Sequence, residues 1–459
     1  MDRRKFLRYT AYSAGALAVG ALTLGAGCET FPTLPEPAVR DPLRFGPPMS
    51  GTGELAATRG AWMDLGAGRR AAVWGYDGQV PGPTIRVRRG DVVDLRIRNA
   101  LSQETTVHWH GLVVPHEMDG HPVDPIAPGG EFAYRFPVLQ RAGISWYHPH
   151  PHHHVGEQVF RGLAGAFIIE DDEEAALDLP SGEYELPLIL RDALVDVAGE
   201  LRYASDPTSP RGNFPVVNGV AYPGHDVARA VYRLRLLNGS NARVFRLALG
   251  NGAPMILIGN DGGLLEAPEE VDRIELGPAE RVDLLVDFRS SALGDTIALR
   301  CLRSGWDLLH FRVARDDGEE RGLLPARLSA IESLSPAQAR AERTFVFEGH
   351  SRINGKRFDP ERVDFRVPFG QVERWTFRAK GSAPHPIHVH GTHFQVISRS
   401  GGRGRVFPWE RGWKDTVLLL DGETVNVLVR FDRYRGLYLL HCHRLEHEDG
   451  GMMLNFEVV

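Results

Sequence analysis

Gly436-Leu437-Tyr438-Leu439-Leu440-His441-Cys442-His443, with His447 and Met452 behind it, decides how this chain is read, because it sets five potential metal ligands within twelve residues. A cysteine, two histidines and a weakly held axial methionine form the ligand set of an electron-transferring copper centre. The apolar run predicts a β-strand. Side chains alternate faces along a strand, so His441 and His443 point one way and Cys442 the other. One strand therefore serves two metal sites, with a thiolate and a pair of imidazoles joined by a few covalent bonds.

Three further clusters supply matching histidines: His108-Trp109-His110-Gly111, His148-Pro149-His150 and His385-Pro386-Ile387-His388-Val389-His390-Gly391. Each holds a His-x-His pair that shares one face of a strand. In the third cluster His385 has the opposite parity to His388 and His390, which lets it join Cys442. Eight histidines from four pairs remain for a second, multinuclear site. One four-coordinate zinc ion would need fewer segments.

With these four motifs the chain resembles the three-domain bacterial multicopper oxidases of the laccase and cuprous-oxidase group. The likeness covers nearly everything after the N-terminal leader. Residues 76–86 are similar to the family's opening strand and turn, and residues 276–288 to its middle-domain signature. The resemblance implies an all-β fold of three consecutive cupredoxin-like Greek-key β-sandwich domains. It also implies four copper ions: one type 1, one type 2 and two type 3. By the same match His385, Cys442, His447 and Met452 hold the type 1 ion, and His108 and His388 the type 2 ion. His110, His148, His150, His390, His441 and His443 hold the type 3 pair. Met453, off by one from the axial position, is assigned to packing.

The 459 residues suffice for about three domains of ~120–150 residues. Short segments rich in Val, Ile, Thr, Phe and Arg alternate with turns, in a chain with 51 Gly and 31 Pro, which is the pattern of β-sandwiches. The first domain is expected at residues 53–172 with the first two His clusters, and residues 171–174 are expected to begin an acidic linker. A second domain at 183–316 carries no His pair and reads as a spacer. A linker at 317–343, with a short helix after Ser335-Pro336, leads to the third domain at 344–459. Because the clusters divide between the first and third domains, the multinuclear site is expected at their interface.

Residues 1–27 read as a twin-arginine export signal, with Asp2-Arg3-Arg4-Lys5-Phe6-Leu7 followed by an apolar run over 11–24. Export predicts a periplasmic or cell-surface protein. Cys28, after Gly25-Ala26-Gly27, partly matches a lipoprotein cleavage box and is a candidate point of lipid attachment to a membrane. The Pro-rich residues 28–52 then serve as a tether. Of the three cysteines, Cys442 is a ligand and Cys301 stands alone, so no disulfide framework is predicted and Cys301 reads as a buried small hydrophobe. The net charge of −6, which becomes about −9 without residues 1–27, disfavours a nucleic-acid partner. A monomer is expected.

The resemblance implies one-electron oxidation of a small-molecule donor at the type 1 ion, transfer through Cys442 to His441 and His443, and four-electron reduction of dioxygen to water. Asp119 and Glu448 match the family's proton-relay carboxylates. Asp415 is a further carboxylate expected to hold a ligand imidazole, and His152, His153 and His154 are expected at a channel or the surface. Cuprous oxidases of this family are similar to one another in a Met-rich insertion and in an acid and a Met before the third cluster. Here Gly381-Ser382-Ala383 stand there, and no Met occurs between Met255 and Met452. Laccase-like oxidation of phenols or aromatic amines is therefore expected, through the exposed edge of a type 1 His in an open apolar rim. A cuprous oxidase in copper tolerance is the alternative. Non-catalytic structural relatives have lost ligands, whereas all twelve stand here.

Overall fold

In the strand Val92–Asn99 every second side chain is buried, Val93, Leu95 and Ile97 among them, as a strand with one face on a core requires. The same logic repeated along the chain builds three β-sandwiches in this computed structural model, which describes residues 34–206, 212–318, 324–381 and 383–459. The expected export signal, Cys28, the start of the expected tether, part of the expected 317–343 linker and Ser382 lie outside the described residues. Among those described, no helix is long and apolar enough to cross a membrane.

The first sandwich sets a sheet ordered Pro48–Met49, Gly82–Arg88, Gly165–Glu170, Gly143–His148, His108–His110 against strands that include Thr52–Gly66, Val92–Asn99 and Glu131–Pro137. Its core holds Trp109, Tyr134, Phe136 and Phe167. The sheet behind it does not stop at the end of that sandwich. Val220 pairs in parallel with Asp64, so one eleven-stranded sheet runs from the first sandwich into the middle one. The middle core gathers Leu234, Leu236, Phe245, Phe311 and Cys301, and Cys301 is fully buried as expected. The third sandwich faces a sheet ordered Val363–Val367, Met453–Val458, Gly436–Cys442, His385–Val389, Thr416–Leu419 against a second sheet built on Val372–Lys380 and Thr424–Arg430.

Two short segments differ from their expected form. Residues 171–174 are not a free acidic linker: Asp171 caps the helical turn Asp172–Ala175 by accepting from Glu174 N–H, and the Glu174 carboxylate is buried 2.8 Å from Arg235. The expected helix after Ser335 is a single 3-10 turn, Pro336–Gln338, closed by a capping box between Ser335 and Gln338.

Candidate metal centre

Register brings the four motifs together. His108–His110 pairs antiparallel with Gly143–His148, placing His108 opposite His148. In the third sandwich His385–Val389 pairs with Gly436–Cys442, placing His388 opposite His441 and Ile387 opposite Cys442. Alternation then works as the strand pattern predicts. The Cys442 Sγ lies 3.5 Å from His385 Nδ1 and 3.8 Å from His447 Nδ1 on one face. His441 turns to the other face with His388 and His390. His447 is positioned by the short helix Leu445–Asp449, and Met452 shares the core with Cys442, whose N–H donates to the Met452 carbonyl oxygen at 3.1 Å. Met453 is buried in the strand Met453–Val458, which agrees with a packing role.

On the histidine face the two outer sandwiches meet. His108 Nε2 and His388 Nε2 lie 3.4 Å apart, His148 Nε2 and His443 Nε2 3.4 Å, His150 Nε2 and His441 Nε2 3.4 Å, and His390 Nε2 and His441 Nε2 3.0 Å. Hydrogen bonds at the far ring nitrogens assign the tautomers. His108 Nδ1–H donates to the Asp119 carbonyl oxygen, His148 Nδ1–H to that of Pro149, and His388 Nδ1–H to that of Asp415. His390 Nδ1–H donates to the Asp119 carboxylate at 2.7 Å. An acceptor at Nδ1 leaves a bare lone pair at Nε2. Lone pairs facing one another at such distances repel unless a cation sits between them, so the donor set fits bound metal. Imidazole and thiolate together suit copper.

His110 is turned the other way round. Its Nε2–H donates to Asp415 at 3.0 Å, and its buried Nδ1 has no hydrogen-bond partner, which makes Nδ1 its free ligand atom. Burial, reinforced by neighbouring imidazoles, holds His148, His390 and His443 well below the ordinary histidine range and takes His441 to about 3. Neutral imidazoles are the form that binds metal. Burial pushes the Cys442 thiol up to about 12, so only a bound cation would make it a thiolate.

The carboxylates stand at the rims of this cluster. Besides holding His390, Asp119 reaches within 3.4 Å of His108 Nδ1, and burial raises its pKa. Glu448 spans His150 Nε2 at 3.3 Å and His441 Nδ1 at 3.2 Å, and burial pushes it up to about 7 against the pull of His150. Asp415 behaves differently. Burial would raise it, but Arg281, followed by His110, holds it well below the carboxylate range.

Arg281 is what the sequence reading missed. It comes from the middle sandwich, is fully buried, and grips Asp415 with two bonds of 2.7 and 2.5 Å. The middle region is thus more than a spacer, since its arginine orients His110 through Asp415. A charged residue opening the buried strand Arg281–Asp287 was the available signal. His121, buried, and His393, half-buried, also lie here, holding Asn455 and the Gly111 carbonyl rather than facing the cluster. His152, His153 and His154 lie outside the cluster. His152 stacks on His153, and His153 Nδ1–H donates to the Asp449 carbonyl oxygen.

Three profiles described as multicopper oxidase match residues 58–174, 198–300 and 328–459. This chain belongs to the multicopper oxidase family. A multicopper oxidase of Staphylococcus epidermidis is 35% identical over 394 residues, covering 84% of this chain and 83% of its own length. A laccase of Bacillus subtilis is 32% identical, over 84% of this chain and 90% of its own. The cell division protein FtsP of Escherichia coli is 33% identical, over 94% of this chain and 92% of its own. The crystal structure of the Aquifex aeolicus multicopper oxidase McoA superposes with a TM-score of 0.84 at 34% identity, covering 92% of this chain and 99% of that one. The cupredoxin-like fold of a bacterial three-domain multicopper oxidase is thereby established, and membership implies copper.

One expectation fails in this oxidase. The type 1 histidines were expected to present an exposed edge, yet His385 and His447 are both fully buried. His447 Nε2 instead meets His350 Nδ1 at 3.0 Å. Nothing in the motifs pointed to His350, which sits in the turn between the strands Ala341–Glu348 and Arg352–Ile353.

Proposed function

We propose that this multicopper oxidase is laccase-like: four copper ions, one type 1, one type 2 and two type 3, bound at the twelve residues named above, supply one-electron oxidation of phenols or aromatic amines and four-electron reduction of dioxygen to two waters. The observation that carries this reading is the His441-Cys442-His443 segment, whose thiol faces one cluster while the flanking imidazoles face the other. The path from Cys442 Sγ to either imidazole runs through the covalent bonds of two adjacent residues and the peptide bond between them. Scarcity of methionine supports organic donors over Cu(I), because soft thioether sites are lacking.

The chain's own groups then have defined tasks. Arg281 and Asp415 fix His110 so that Nδ1 points inward. Asp119 holds His390, and Glu448 stands between His150 and His441, which supports a role for both carboxylates in delivering protons to the histidine face. A polar cleft of about 450 Å³, lined by Gly111, Ser145, Asp261 and His393 among others, lies one residue along the chain from His110 and is a candidate entry for dioxygen and water. The leader supports twin-arginine export to the periplasm or cell surface, with Cys28 as a candidate membrane tether.

Oxygen consumption by the copper-loaded protein tests the reading, with 2,6-dimethoxyphenol compared against anaerobically prepared Cu(I) and Cys442→Ser as control. Fast uptake with the phenol and slow uptake with Cu(I), lost in the variant, is expected. The reverse preference would make it a cuprous oxidase. Silence with both donors would point to a role without turnover.

A further inference from the structure

All four residues assigned to the type 1 ion, His385, Cys442, His447 and Met452, are sealed from solvent. A donor in solution cannot touch any of them. His447 faces Cys442 with Nδ1, so its Nε2 points away from the thiol, and there it meets His350 Nδ1 at 3.0 Å with the two rings 4.9 Å apart and inclined at 65°. His350 is only partly buried. With Nδ1 of His447 holding copper, the His447 proton would sit on Nε2 and donate to His350 Nδ1. His350 then carries its own proton on Nε2. The turn that holds His350 is pressed onto the end of the helix Leu445–Asp449. A Cβ on Gly450 would come within 3.1 Å of the Glu446 carbonyl oxygen and 3.4 Å of that of His350. The imidazole pair is therefore held in place.

We propose that His350 is the donor-contact residue of this oxidase: the organic donor docks against its outer side, and the electron reaches the buried type 1 site through the His350–His447 hydrogen bond. The inference rests on the laccase-like reading for the class of donor. One electron leaves the phenol, whose hydroxyl proton is lost to solvent, and would be taken up by the type 1 copper that His385, Cys442, His447 and Met452 would hold. No bond of either imidazole breaks, and the Nε2 proton stays on His447. As an acceptor His350 also makes the His447 ring more electron-rich, which favours Cu(II).

The test uses copper-loaded full-length His350→Phe and His350→Gln. Phe keeps a ring and loses the acceptor; Gln keeps an acceptor and loses the ring. The reduction potential of the type 1 centre, read by redox titration of its visible absorption, should rise in Phe and stay near the wild-type value in Gln. Anaerobic single-turnover reduction by 2,6-dimethoxyphenol should slow by about 10-fold or more in Gln. Unchanged potential in Phe together with an unchanged reduction rate in Gln would overturn the proposal. So would faster reduction in Gln, which would make His350 a cover rather than a contact. The potential needs no phenol, so a wild-type protein inert to phenols but showing the Phe shift would fault the donor class and not the His350–His447 contact.

Discussion

The two faces of the strand Gly436–Cys442 are assembled in opposite ways. On the Cys442 face the partners are local: His447 is five residues away and His385 is 57, all within one sandwich. On the His441 face the partners come from the far end of the chain, 280 residues apart for His108 and His388 and 295 for His148 and His443. One site is a property of a domain, whereas the other is a property of an interface. The interface is held by the eleven-stranded sheet that joins the first two sandwiches and by buried charges from the middle one, so it should fail first when contacts between sandwiches are weakened.

The largest effect breaks the local side alone. Cys442→Ser is expected to abolish the type 1 visible absorption and oxygen uptake, while electron paramagnetic resonance still reports copper on the histidine face. Next, Arg281→Met should strike the interface and spare the local site. Losing one partner of a buried ion pair costs about 3–5 kcal/mol, so thermal melts should fall and copper should be lost from the eight-histidine side while the type 1 absorption persists. Smaller still, Glu448→Gln and Asp119→Asn should leave donor oxidation intact and slow reoxidation by dioxygen by about 10- to 100-fold, as followed by stopped-flow after anaerobic reduction.

Acid supplies the mildest perturbation. Burial would raise Glu423, but Arg403, the Leu420 N–H and Arg399 take it down to about 2, and Arg403 also bonds Glu275 of the middle sandwich at 2.9 Å. Burial opposes the lowering of Glu275 too, which Arg303 and Arg403 outweigh. Carboxylates held below their unfolded value of 4.5 stabilise the fold fully above that pH, and the contribution fades as pH falls toward about 2. The melting temperature should therefore drop between pH 5 and pH 3 by less in Glu423→Gln than in the parent protein, the variant starting lower at pH 7.

Much of the local side was legible in the sequence because alternation along a strand is a local rule. The parity of His441, Cys442 and His443, and the odd placement of His385, follow from it and are what the structure shows. The union of four His pairs was also legible, since each pair is useless alone. What could not be read was anything set by packing between sandwiches. Arg281 and Asp415 meet across 134 residues, and neither residue's own neighbours reveal the other. His350 lies in a turn with no periodicity, and its meeting with His447 depends on how that turn closes over a helix 97 residues later. The expectation of an exposed type 1 histidine failed for the same reason, because solvent access is a property of the finished surface.

The most direct test of the two-faced strand is anomalous diffraction at the copper edge from crystals of the copper-loaded protein. One ion is expected among His385, Cys442, His447 and Met452, and three among the eight histidines, with His110 bound through Nδ1. A single ion shared by both faces, or an eight-histidine cluster that stays empty while the Cys442 face fills, would contradict it.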